Sequence, residues 1–177
     1  MAMLRIDLDY LADVLKRLLT TPSPTGYTDQ VVWLTCRELD AIGVRYELTR
    51  RGAIRALLPG QAPSGARAVV SHLDTLGAQV KRLKENGRVE LVPVGHWSAR
   101  FAEGARTVIF SEKGAYTGTI LPLKASGHTF NEEVDDLPVG WDYVELRVDA
   151  WAEQASDLQA LGIDIGDMVA IDPQPEF

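Results

Sequence analysis

The sequence predicts an α/β domain that starts, breaks off, and is interrupted by a small all-β module. Three observations carry this. Apolar residues recur at helical spacing through the first forty positions and are followed by short strands. Between residues 78 and 150 the pattern is alternation and turn residues, with no helical period. A short helical stretch and one further apolar strand then close the sequence.

In order along the chain, residues 9–20 ("DYLADVLKRLLT") place Leu11, Val14, Leu15, Leu18 and Leu19 on one helical face. "TPSPTGY" at 21–27 carries two prolines and a glycine, which end the helix in a loop. Thr28 is the expected N-cap of a second helix, with Val32, Cys36 and Leu39 along its apolar face and Gly43 at its C-terminal cap. "VRYEL" alternates as a half-buried strand, and "AIRALLPG" reads as a second strand. "ARAVVSHLD" at 66–74 shows little alternation, the pattern of a central strand covered on both faces.

Beyond Gly77, "AQVKRLKENGRVELVPVG" reads as a hairpin around Glu85-Asn86-Gly87. "ARTVIFSEKGAYTGTILPL" reads as another around Glu112-Lys113-Gly114. "WDYVELRVDA" alternates as a strand. "EQASDLQALGI" has the length of one or two helical turns, and "DMVAIDP" reads as a buried strand. Several short strands without helical period predict a barrel or sandwich for the inserted module.

The bulk numbers narrow the function. The chain has 177 residues, 46% hydrophobic and 24% charged, and a net charge of −7 with acids and bases interspersed. No basic face is present to hold nucleic acid or an anionic membrane. Cys36 is the only cysteine, so an internal disulfide and a thiolate-rich metal site are both excluded. The N-terminus lacks the pattern of a signal peptide and no apolar run has bilayer-spanning length, so the expected location is cytoplasmic.

His72 and Asp74 stand two apart at the carboxyl end of the expected central strand, where side chains at i and i+2 share a face. Open α/β sheets bind ligands at that edge. A neutral imidazole suits zinc or cobalt, and a neighbouring carboxylate fixes its tautomer. With 14 aspartates in the chain the bare His-x-Asp pair also arises by chance, and a structural hydrogen bond between the two is the alternative. The other imidazoles, His96 and His128, fall in a turn and before an acidic loop. Glu132, Glu133, Asp135 and Asp136 of that loop are read as solvated. Ser23 and Ser71 lack a histidine–acid pairing. Cys36 is read as core, and Trp97, Trp141 and Trp151 as core or interface.

"VVSHLDTLGAQVK" resembles the first metal-binding motif of the tetrahedral (TET-type) metallo-aminopeptidases, the forty-second metallopeptidase family, which includes glutamyl aminopeptidases. "LLTTPSPTGYTDQV" is similar to the family's N-terminal loop, where a Ser-Gly pair normally follows a proline. "GTILPLKASGHTFNEEVD" and "LGIDIGDMVAIDPQPEF" are similar to its dimerisation domain and its re-entry into the catalytic sheet.

The resemblance implies a partial three-layer α/β aminopeptidase catalytic domain (1–77 and 163–177) interrupted by a small all-β barrel for dimerisation (78–162). It implies His72 as ligand to one of two divalent metal ions, zinc or cobalt, and Asp74 as the catalytic-site carboxylate supporting it. Thr75 stands where the family often has glutamate. The substrate implied is a short peptide losing its N-terminal residue, and the assembly a homo-oligomer, from dimer to dodecamer. The family's bridging aspartate, general-base glutamate and remaining ligands are expected beyond Phe177. The 177-residue chain is therefore expected to bind metal weakly or not at all and to be inactive. The alternative expectation is a non-catalytic oligomerisation module derived from the family.

Overall fold

The computed structural model describes residues 5–61 and 65–177. It divides the chain into two compact units, 1–74 with 174–177, and 75–173.

In the first unit, helix α1 spans Leu8–Thr20 and α2 spans Asp29–Ala41. Asp7 caps α1 by accepting from the Tyr10 amide at 3.0 Å, which satisfies one of the first-turn N–H groups that no helical carbonyl can reach. The apolar stripe of α1 is the expected one, yet none of its residues is buried. Polar links join the helices: Arg17 Nη1 donates to Glu38 Oε1 at 2.7 Å and Tyr10 Oη to Glu38 Oε2 at 3.1 Å. Two details of α2 differ from expectation. Thr28 precedes it but makes no side-chain cap, and the buried residues are Val31, Leu34 and Cys36; Cys36 is as expected, whereas Val32 and Leu39 are only half-buried.

Strands β1 (Tyr46–Leu48) and β2 (Ile54–Ala56) form an antiparallel pair in the register Tyr46↔Ala56 and Leu48↔Ile54. The expected central strand at 66–74 is not a strand. Residues 65–74 carry no ladder, and Val69 and Val70 are 97% and 89% exposed. The reason is that a strand exists only through a neighbour that takes up its N–H and C=O groups. Among the described residues nothing runs beside this segment as a sheet partner.

The second unit is a closed antiparallel barrel. Its strands are β3 (Gly77–Leu83), β4 (Val89–Val94), β5 (Arg106–Ser111), β6 (Gly114–Pro122), β7 (Val144–Val148) and β8 (Met168–Ile171). They follow the order β3-β4-β7-β6-β5-β8 around the wall. Closure leaves no open edge.

Alternate residues point inward: Val80, Leu91, Ile109, Ile120, Leu146 and Val169 are at most 2% exposed and fill the interior. Both hairpins turn where expected. Around Asn86, the Gly87 amide donates to the Lys84 carbonyl at 3.0 Å, and the Lys84 amide to the Arg88 carbonyl at 2.8 Å. Glu112 and Lys113 join the paired residues Ser111 and Gly114. Trp97 and Trp141 pack edge-to-face on the barrel core with centroids 4.7 Å apart, whereas Trp151 is 82% exposed.

Two parts of this unit depart from the sequence reading. Gly127–Phe130 forms one helical turn, α3, inside the stretch read as wholly β. β8, read as re-entering the α/β sheet, pairs antiparallel with β3 and β5 and closes the barrel. Helix α4 (Ala155–Ala160) precedes it as expected. Among the described residues, no helix is long and apolar enough to cross a membrane.

Candidate functional site

His72 and Asp74 lie on the unladdered segment of the first unit and meet there. The Nδ1 of His72 is 3.3 Å from Asp74 Oδ1 and 3.0 Å from the Asp74 carbonyl oxygen. Both neighbours are acceptors when the carboxyl is ionised, so the proton belongs on Nδ1. That leaves Nε2 with its lone pair, on a side chain that is 80% exposed. This is the tautomer a metal ligand or a proton acceptor needs.

The carboxylate is itself held. Thr25 Oγ1 donates to Asp74 Oδ2 at 2.6 Å, so the two carboxylate oxygens serve two different donors. The Thr25 hydrogen bond is the largest influence keeping the Asp74 carboxyl below its ordinary range. Partial burial opposes it, while the residue's own backbone and the nearby imidazole add to it. Beside them, Ser23 is fully buried and its Oγ donates to the Leu73 carbonyl at 3.1 Å. The loop at 23–25 thus runs against residues 73–74 at two points. Sequence reasoning singled out His72 and Asp74 but missed Thr25. The signal available was a hydroxyl residue in "PSPTGY", with nothing local to say that it contacts a residue 49 positions away.

The remaining candidates do not gather. His96 and His128 are exposed, as are Glu132, Glu133, Asp135 and Asp136, and Glu133 pairs with Lys124. Cys36 is buried in α2 as expected. Among the described residues, no three of histidine, cysteine, aspartate and glutamate cluster in a way that would hold a metal ion. A catalytic zinc takes about three protein ligands. The donors among the described residues therefore fit one ligand position and fall short of a whole site.

A family model described as M42 glutamyl aminopeptidase matches residues 52–177. YhfE of Bacillus subtilis is 33% identical over 166 residues, which is 93% of this chain and 48% of that protein. Among solved structures, an aminopeptidase of the archaeon Desulfurococcus kamchatkensis superposes with a TM-score of 0.77 at 20% identity, over 96% of this chain and 45% of that one. The TET1 peptidase of Pyrococcus horikoshii, which assembles into a tetrahedron or a large octahedral shell, superposes with a TM-score of 0.71 at 19% identity over 93% and 47%. These two likenesses show the fold. The chain spans about half the length of the curated relatives it matches.

Proposed function

The chain belongs to the M42 glutamyl aminopeptidase family, and on that premise we propose that it is the N-terminal portion of a dinuclear-metal aminopeptidase acting on short peptides. The observation that supports the reading most is the His72 imidazole, pinned at Nδ1 by Asp74 with Nε2 turned outward. His72 supplies one ligand to a divalent ion, zinc or cobalt, and Asp74 holds the imidazole in its liganding tautomer. The ion would supply electrophilic chemistry to a peptide carbonyl. One imidazole out of about three required ligands gives weak uptake, so the 177-residue chain does not hydrolyse peptides by itself.

The test is calorimetric titration of zinc and cobalt into the chain and into His72→Gln, alongside hydrolysis of aminoacyl p-nitroanilides in the presence of each metal. Weak uptake that disappears in His72→Gln, with no hydrolysis above the blank, is the expected result. Equal uptake by the variant removes His72 from the site, and turnover in pure material of confirmed mass refutes the inactivity.

A second reading, a non-catalytic oligomerisation module, draws on the barrel, which closes from its own six strands and needs no further segment. Light scattering separates the two. Oligomers that take up no stoichiometric metal favour the module.

A further inference from the structure

We propose that Thr25 is a positioning residue for His72, acting through the Asp74 carboxylate. This rests on the reading of His72 as a metal-facing imidazole, though its structural part can be tested without any metal. The segment carrying His72 and Asp74 has no ladder to hold it, so neither residue inherits its place from a sheet. The loop at 23–25 reaches the segment at Leu73 and Asp74.

Ser23, fully buried, fastens the loop to the Leu73 carbonyl at 3.1 Å, between the two functional positions. Thr25, two residues on, then reaches Asp74 Oδ2 at 2.6 Å. The carboxyl group turns about its terminal torsion with a broad, two-fold preference. One donor at Oδ1 leaves that torsion loosely set, and a second donor at Oδ2 fixes the plane of the group. Fixed that way, Oδ1 stays on the Nδ1 side of the imidazole at 3.3 Å. The hydroxyl of Thr25 therefore fixes the carboxylate that, together with the Asp74 backbone carbonyl 3.0 Å from Nδ1, keeps the proton on that nitrogen of His72 and leaves Nε2 facing outward.

The test uses the 177-residue chain labelled with 15N, and long-range 1H–15N spectra recorded at alkaline pH, where imidazoles are neutral. The His72 signals are identified by their loss in His72→Gln. In the unsubstituted chain the Nδ1–H tautomer dominates. In Thr25→Val, which keeps the shape and removes the donor, the ratio of Nδ1–H to Nε2–H falls several-fold, while Thr25→Ser restores it. The His96 and His128 signals, which lie in the other unit, stay in place and report that the chain is folded. Should Thr25→Val disturb the fold, Thr25→Ala is read in the same way.

An unchanged His72 tautomer in the folded valine or alanine variant overturns the proposal, as does a serine variant that fails to restore it. Zinc titration of the same proteins separates this from the wider reading. Loss of an outer-shell partner weakens metal binding by about 10–100-fold, and Thr25→Val is expected at the lower end. If His72→Gln takes up as much zinc as the unsubstituted chain while the tautomer still responds to Thr25, the positioning stands and the metal assignment fails. If zinc uptake depends on His72 but the tautomer ignores Thr25, the reverse holds.

Discussion

Replacing Gly87 by alanine tests the barrel where two costs coincide. Gly87 takes φ +70° in the turn between β3 and β4, and a Cβ built there lies 2.2 Å from the Ala152 carbonyl oxygen, 2.6 Å from its carbon and 2.9 Å from the Glu153 carbon. An alanine in the left-handed region costs about 1–2 kcal/mol, and the reduced freedom of the unfolded chain offsets about 0.4–1 kcal/mol of it. The collision adds an overpacking term of about 1–3 kcal/mol, because the obstructing atoms are backbone and cannot swing aside. The expected total is about 2–4 kcal/mol, a large part of the roughly 5–15 kcal/mol by which domains are stable.

Gly104 is the control. It has φ +79° with nothing within 4 Å of a Cβ, so Gly104→Ala carries the conformational cost alone, about 1 kcal/mol. Urea unfolding followed by the fluorescence of Trp97 and Trp141, which pack on the barrel core, gives both values. Equal costs for the two variants would refute the collision, and a Gly87→Ala protein as stable as the parent would refute the placement of that turn against residues 152–153.

Two further predictions follow from the same unit. Among the described residues, the fully buried Thr107 hydroxyl has no hydrogen-bond partner, so Thr107→Val should stabilise the barrel by about 1 kcal/mol in the urea assay, and a loss of stability would contradict this. Arg106 and, next, Thr117 hold the Asp149 carboxyl down to about 2. A depressed carboxylate stabilises the fold above its unfolded pKa of about 4, and that contribution is lost as pH falls towards the folded value. The pair is exposed (46% and 40%), so the effect is modest. Arg106→Met should raise the Asp149 pKa in an NMR titration and move acid unfolding to higher pH. Superimposable acid limbs would exclude a role for the pair in stability.

What could be read beforehand was whatever is local. The helical stripe Leu11, Val14, Leu15, Leu18 lies on α1, the turns at 85–87 and 112–113 join the strands they were read to join, and Val144, Leu146 and Val148 alternate inward from β7. Each rests on steric and hydrogen-bonding preferences within a few residues. The misread segments are those whose state depends on a partner. Val69 and Val70 looked buried because apolar runs usually are, yet burial needs a second surface. The strand at 168–171 was legible as a strand, but which sheet it joins depends on β3 and β5, tens of residues upstream. At the candidate site the His72–Asp74 pair was visible from its spacing, while Thr25 was not.

From the sequence alone came most of the element types, the two hairpin turns, the β module and the His72–Asp74 pair, because backbone propensity and side-chain periodicity act over short stretches. Only the tertiary structure decided that β8 closes the barrel, that residues 65–74 carry no ladder, and that Thr25 and Ser23 bond to Asp74 and Leu73. Those outcomes are pairings between distant segments, and a hydrogen bond or a buried face is a property of two surfaces that neither segment specifies by itself.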